Sequence, residues 1–357
     1  MASTSPTELT LLRDLVATPS VSGTEEGVAR VIEEWARAAK LDVVRDDTAV
    51  IVRVKGKKGG KRLAFVSHID TVPAGEGWTR DPFKATVEGD KLYGRGSGDA
   101  KASVAAMLTA AQDVAAAGGP AAGELVVVLG YGEETKNTSM PRAVAAHGPF
   151  DAAVVGEPTN LDIAVAQRGL MMVDLVAKGD QRHAGYASEG GFTNSVSVLA
   201  ADLLALPTLA QTRPHPVLGH PTLTATMVEA GVSRNVTPPS AKAVLDIRST
   251  PAWTHQELGA ELKKHLKSEV IVTSERLVPC ETPADSALLA AALRARPAAK
   301  SFGSPTCSDW VFVRDADAIK CGPGTSRRSH TADEYVDLPE VTAARAFYAL
   351  LAKEYLG

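Results

Sequence analysis

Short apolar runs separated by polar loops set the rhythm of the first half of the chain: Leu63-Ala-Phe-Val-Ser67, Leu125-Val-Val-Val-Leu129 and Ala152-Ala-Val-Val155. Runs of this length, apolar at every position, fit strands buried on both faces, and the alanine-rich stretch 101–117 between the first two fits a covering helix. Two helices precede them. Ser5-Pro6-Thr7-Glu8 is a capping box with proline at the first helical position, and Leu11, Leu12, Leu15 and Val16 follow at helical spacing. Ser22-Gly23-Thr24-Glu25 repeats the start signal before Val28, Val31, Ile32 and Trp35, and the segment from Asp42 to Val54 then turns β-branched and strand-like. The pattern predicts an α/β unit with a mixed, mostly parallel sheet covered by helices.

Near Arg168 the rhythm changes. Met171 to Ala177, Thr222 to Val228 and Ala241 to Ile247 alternate apolar and polar residues, as half-exposed antiparallel strands do, while 194–204 and 254–265 have helical spacing. This predicts a small α+β insert. Helix and strand alternation resumes at 284–295, 317–321 and 339–355, so the expected boundaries are 1–168 and 276–357 for the two parts of the first domain and 169–275 for the insert.

Composition narrows the function classes. A chain of 357 residues with 45% hydrophobic residues can bury a large core. The basic and acidic totals, 38 and 42, form no basic face for phosphates, so nucleic acid is not an expected partner. The start has no basic stretch followed by an apolar run, and no segment approaches the roughly 18 apolar residues of a membrane span. Cys280, Cys307 and Cys321 cannot all pair and lack metal-type spacing, which suits reduced residues of a cytoplasmic protein without a membrane partner.

In an α/β sheet, ligands bind outside the carboxyl ends of the strands, so polar residues that directly follow apolar runs carry the chemistry. Ser67-His68-Ile69-Asp70 follows the first run; a His-x-Asp pair in extended backbone places a carboxylate beside an imidazole that could bind a metal. Gly94-Arg-Gly-Ser-Gly98-Asp99 leads into the alanine-rich helix, and its glycines permit an irregular backbone that aims Asp99 inward. Its spacing matches neither dinucleotide nor Walker fingerprints. Gly132-Glu133-Glu134 follows the second run and Gly156-Glu157 the third, while Gly322-Pro-Gly324-Thr325 and His330-Thr-Ala-Asp333-Glu334 close the set. Each element alone is commonplace on a protein surface. Together they supply the nitrogen and oxygen donors of two divalent ions, with zinc the leading candidate and cobalt a possible substitute.

The series His68-x-Asp70, Asp99, Glu133-Glu134, Glu157 and His330 resembles the co-catalytic zinc aminoacylase and carboxypeptidase family, which includes acetylornithine deacetylase, succinyl-diaminopimelate desuccinylase and glutamate carboxypeptidase. The resemblance spans nearly the whole chain. It implies that Asp99 bridges two metals, that His68 and Glu157 complete one site, and that Glu134 and His330 complete the other. Asp70 would orient His68, and Glu133 would be the general base. In the insert, Gly179-Asp-Gln-Arg-His183 is similar to the family segment whose histidine reaches the active site of a partner subunit, which implies a homodimer. Asn235 and Arg248 match positions that hold a substrate carboxylate, and Gly324 and Thr325 join them as substrate-binding candidates. His147, His215, His220, His255 and His265 sit in no such context and read as structural or exposed.

Three segments depart from the family pattern, one of them the stretch Ala-Gly-Tyr-Ala-Ser after His183, slightly longer than usual before Gly190-Gly191. Asp99 is followed by Ala100-Lys-Ala where many relatives have Met-Lys-Gly, and Glu134 by Thr-Lys-Asn-Thr-Ser instead of a glycine-rich turn. The segment after Glu134 is closer to the ornithine and citrulline deacetylases. The expected activity is therefore removal of an N-acyl group, acetyl first, from an amino acid such as N-acetylornithine, a step of arginine biosynthesis. A dipeptidase or carboxypeptidase with the same centre, and an inactive binding protein of the same fold, are the competing readings.

Overall fold

The structure, a computed structural model, describes residues 7–357. The proposed cap residues Ser5 and Pro6 lie outside the described residues. Two compact units emerge: one runs up to Val165 and takes in Thr282–Phe302 and Ser308–Gly357, and the other comprises Ala166–Glu281 with Gly303–Cys307.

The first unit is built on a mixed sheet whose centre is parallel. Glu124–Gly130, Arg62–His68, Ala152–Val155 and Asp317–Lys320 lie side by side in that order, all in one direction. Ala49–Lys55 with Asp42–Arg45 on one side, and Ile163–Gln167 on the other, run antiparallel to their neighbours. The register decides where the chemistry can sit. His68 lies opposite Gly130 and Val66 opposite Val155, so the central strands end together along one edge. Loops leaving that edge start about 4.8 Å apart, one strand spacing.

Apolar residues on both faces of these strands are fully buried, among them Leu63, Phe65, Val127 and Leu129. Truncating Leu129 to alanine would cost about 2–5 kcal/mol through lost transfer energy and the cavity left behind. Helix Ala102–Ala116 is buried on every side from Ala102 to Ala111, and its alanines allow the closing helix Leu338–Leu356 to pack closely against it. Thr7–Ala17 adds Leu11, Leu12, Leu15 and Val16 to the same core. The second helix starts at Glu26, later than Ser22–Glu25 suggests. Its N-cap, Glu25, makes no side-chain cap; its carboxylate instead accepts the Gly23 N–H at 2.9 Å, which closes the preceding turn.

In the second unit, Thr222–Ala230, Ser240–Ser249, Gly169–Lys178 and Glu269–Leu277 form an antiparallel sheet in that order. Met171, Val173, Leu175 and Ala177 alternate inward, as do Ala241, Ala243, Leu245 and Ile247, and helices Ser195–Ala205 and His255–His265 cover that face. A full capping box, Thr254 with Glu257, fixes the start of the second of these helices. Strand Glu269–Leu277 has no clear alternation in the sequence, because two register shifts against Gly169–Lys178 break its period. A separate sheet of three-residue strands, Thr86–Glu88, Lys91–Tyr93 and Tyr335–Asp337, is too short for any periodicity to reveal. Among the described residues, no helix is long and apolar enough to cross a membrane.

Candidate metal centre

The first unit gathers His68, Asp70, Asp99, Glu133, Glu134, Glu157 and His330 at the edge where its parallel strands end. His68 is the last residue of its strand and is buried. Its Nδ1 lies 3.1 Å from the Asp70 carbonyl oxygen, so that Nε2 is turned toward Asp99 Oδ1 at 3.2 Å and Glu157 Oε1 at 3.8 Å. On the other side, His330 Nε2 stands 3.0 Å from Glu134 Oε1 and 3.7 Å from Asp99 Oδ2. Thus the two oxygens of Asp99 face different imidazoles. His68, Asp99 and Glu134 each offer a ligand atom within 4.8 Å of the others, a spacing one cation can span.

Asp70 meets the His68 ring twice, through its carbonyl oxygen and through its carboxylate, whose Oδ1 is 3.5 Å from Nδ1. The carboxylate has a second task. It accepts the backbone N–H groups of Glu133 and Glu134 at 3.0 and 3.1 Å and the Ser22 hydroxyl at 2.6 Å, tying the glutamate loop to the His68 strand. Burial alone would raise this carboxyl; hydrogen bonds from His68, Ser22 and the Glu133 N–H outweigh it and hold it at about 2.

The electrostatics fit a cation site. Burial, followed by the charge of Asp99, pushes Glu157 up to about 8. Burial also raises Glu133 well above the usual carboxylate range; His68 opposes this, while Glu157, Asp309 and Glu134 add to it. Carboxylates outnumber imidazoles in the cluster, and each disfavours ionisation of the next. Divalent cations would relieve that repulsion, and the mixed imidazole and carboxylate donors suit borderline ions such as zinc. The neighbouring glutamates are also held differently: the Glu134 carboxylate meets His330, whereas the strongest effect of a neighbouring group on Glu133 comes from His68.

Backbone irregularity makes room for these groups. Gly96 has φ +80°, and a Cβ there would come within 2.5 Å of Thr71 Cγ2, so glycine is required where the chain turns toward Asp99. Past Glu134, Asn137 takes φ +43°, a left-handed conformation that asparagine tolerates, and so turns the chain without a glycine. Its side-chain amide donates to Asp309 at 2.7 Å. Asp309 is a buried carboxylate that sequence reasoning did not single out, pushed up to about 6 by burial, and its effect on Glu133 is electrostatic. An acidic residue between apolar Trp310 and Ser308 was the available signal.

The pattern that defines peptidase family M20/M25/M40 matches residues 64–354. The chain belongs to that family. As an M20-family protein it is a hydrolase of amide C–N bonds. It is 31% identical to succinyl-diaminopimelate desuccinylase of Phenylobacterium zucineum over 97% of this chain and 98% of the relative. Among solved structures it resembles aminopeptidase PepT of Bacillus cereus (TM-score 0.80, 18% identity, 98% of each chain). It also resembles the YXEP protein of Bacillus subtilis, a dinuclear metal binding peptidase of the M20 family (TM-score 0.74, 18% identity, 98% of this chain and 97% of that one). At such identity the two structures establish the fold alone.

The remaining candidates of this M20-family chain sit in two places. Gly324 is buried at φ +81° with its N–H donating to Glu340, and Thr325 bridges to Thr159, both in the first unit. His183, Asn235 and Arg248 belong to the second. His183 precedes a short helical turn, with Nδ1 accepting the Gly185 N–H at 3.0 Å, and Ala184 N–H donates to the Asn235 carbonyl at 2.7 Å, so these two candidates are neighbours. Arg248 makes a two-pronged contact with Asp246 at 2.7 and 3.0 Å. Other histidines have partners outside the cluster: His147 meets Asp46, His215 meets Glu281 and His255 meets Ser249.

Proposed function

We propose that this M20-family hydrolase is a two-metal enzyme that removes the acyl group from an N-acyl-amino acid. The observation that carries the reading is the Asp99 carboxylate, whose two oxygens face His68 and His330 separately, as a ligand shared between two cations must. His68 and Glu157 would hold one ion with Asp99, and Glu134 and His330 the other. When bound, the ions supply Lewis acidity and positive charge at the reacting carbonyl.

The protein's own groups do the rest. Glu133, whose carboxylate stays ionised once cations offset the neighbouring negative charges, takes a proton from the attacking water and returns it to the leaving nitrogen as the C–N bond breaks. Water thereby becomes the new oxygen of the released acid, and the amine leaves neutral. Arg248 and Asn235 hold the substrate carboxylate, Gly324 and Thr325 line the substrate site, and His183 donates a hydrogen bond to the oxyanion. The favoured assembly is a homodimer in which His183 serves the partner subunit. Strand Thr222–Ala230 supports it: it lies at the edge of its sheet, with Met227 56% and Val228 57% exposed, apolar surface suited to a second copy.

The acyl group is the finer question. The segment after Glu134 favours acetyl, as in acetylornithine, whereas the curated relative is named for removing succinyl. A hydrolysis screen over N-acetyl-, N-succinyl- and N-formyl-amino acids and dipeptides, with elemental analysis of the purified protein, tests the proposal. About two divalent ions per chain and loss of activity in a chelator are expected. Full activity without metal would sink the mechanism, and turnover of dipeptides alone would replace the substrate class.

A further inference from the structure

Glu334, four residues beyond His330, is only 1% exposed, and its hydrogen bonds go to the Asp99 turn. Its Oε1 accepts the backbone N–H groups of Gly98 and Asp99 at 3.0 and 3.1 Å. Its Oε2 accepts the Gly96 N–H at 3.1 Å and the Arg95 guanidinium at 2.6 Å. Arg95, 2% exposed, supplies the countercharge and is itself held by the Ala74 carbonyl at 2.9 Å. Burying a carboxylate beside Asp99 is costly, and only a full set of donors can offset it. That set is the turn that carries Asp99.

We propose that Glu334 is a positioning residue that holds the Asp99 turn in its cation-binding shape by gathering the backbone N–H groups on its amino side. The carboxyl side is fixed independently: Lys101 N–H donates to Gly96 O at 3.0 Å, and its ammonium donates to the carbonyls of Leu15 and Thr18 at 2.8 and 2.9 Å. With both flanks tied, the Asp99 carboxylate has little freedom left. Segment 330–334 also sets two ligands against each other, because it carries His330 at one end and the clamp on Asp99 at the other. Asp333 anchors the same segment elsewhere, accepting the Thr79 N–H and hydroxyl at 3.1 and 2.7 Å.

The proposal rests on Asp99 being a cation ligand. Metal-free wild type, Glu334→Gln and Asp333→Asn are titrated with Co2+ in competition with a chromophoric chelator, while the visible spectrum and the Tm are followed. Whichever way the glutamine amide turns, its nitrogen cannot accept, so either Arg95 and Gly96 or Gly98 and Asp99 lose their acceptor, and Glu334→Gln should bind Co2+ at least tenfold more weakly and with an altered spectrum. Asp333→Asn loosens the same segment without touching the Asp99 turn, and should leave affinity within about threefold even where its Tm falls as far. Wild-type affinity in Glu334→Gln, or equal weakening by both variants, would overturn the clamp. A wild type that binds no Co2+ would instead overturn the ligand role of Asp99. Should Glu334→Gln not fold, hydrogen exchange of the metal-free wild type decides: slow exchange at the Gly98 and Asp99 amides is expected, and exchange at the rate of an unstructured chain would refute the clamp.

Discussion

The two units hold their candidate residues in opposite ways. In the first, the metal-centre side chains other than the exposed His330 are buried or partly buried, and all are joined by contacts between segments far apart in sequence: Glu334 reaches Arg95 across 239 positions, and His330 reaches Glu134 across 196. In the second, His183 bonds two residues away, Asn235 receives the Ser233 hydroxyl two residues away, and Arg248 pairs with Asp246 two residues away. A network closed by the whole fold cannot rearrange without partial unfolding, so its geometry is set before any ligand arrives. Side chains bonded only to near neighbours can exchange those bonds for a ligand or a partner at small cost. Chemistry that needs fixed distances suits the first arrangement, and recognition suits the second.

The largest effect is expected at the adjacent glutamates of the first unit. Glu133→Gln removes the proton acceptor and should lower kcat by a factor of about 10²–10⁴ with the metal content retained. Glu134→Gln, which removes the partner of His330, should weaken metal retention instead. Metal analysis beside steady-state kinetics separates the two; metal loss in the first variant and retention in the second would exchange their roles.

In the second unit, His183→Ala should slow turnover about 10²–10³-fold, the usual consequence of losing one oxyanion donor. Mixing His183→Ala subunits with Glu133→Gln subunits should restore part of the activity, since a mixed dimer contains one site with both residues intact. Verified mixed dimers without regained activity would confine His183 to its own subunit or remove it from catalysis. A smaller effect belongs to Arg248→Ala. Its fork is already occupied by Asp246 and part of its pairing must be given up for a substrate, so the loss in selecting a free carboxylate over its methyl ester should be about tenfold. An unchanged preference would move carboxylate recognition elsewhere.

How much of this was legible follows from the same contrast. The strand ends could be read because apolar runs stop abruptly at His68 and before Glu157, and parallel neighbours necessarily finish on one edge. The motif around His330 could be quoted, but not the clamp within it, because the donors that give Glu334 its role lie in another motif and converge only through the fold. Asp70 shows what local geometry leaves out. Its spacing to His68 suggests a carboxylate beside a ring, and Oδ1 does stand 3.5 Å from Nδ1, but the same carboxylate also ties down the glutamate loop, a contact made 63 and 64 positions away. The bulged strand Glu269–Leu277 escaped for a different reason, since periodicity vanishes where register shifts.

A final test asks whether the fixed network of the first unit carries a cost of its own. Lys101 is fully buried behind Asp99, and burial pulls it down to about 7, with the charges of Glu334 and Asp70 pulling the other way. In the unfolded chain a lysine titrates near 10.4, so between about pH 7 and pH 10.4 the unfolded state binds more protons than the folded one. Stability contributed by this group must then rise with pH across that window and level off below it, the reverse of an ion-paired surface lysine. Comparing urea unfolding of wild type with Lys101→Met isolates the effect, because the variant loses the same carbonyl contacts at every pH but cannot titrate at this site. From pH 7.5 to 8.5 the wild type should gain about 1 kcal/mol relative to the variant. A difference that stayed flat would mean that Lys101 remains charged and that the surrounding carbonyls and carboxylates fully replace its water. A difference that fell with pH would mean that the buried charge is a net source of stability, and the network of the first unit would then be held together by that charge and not in spite of it.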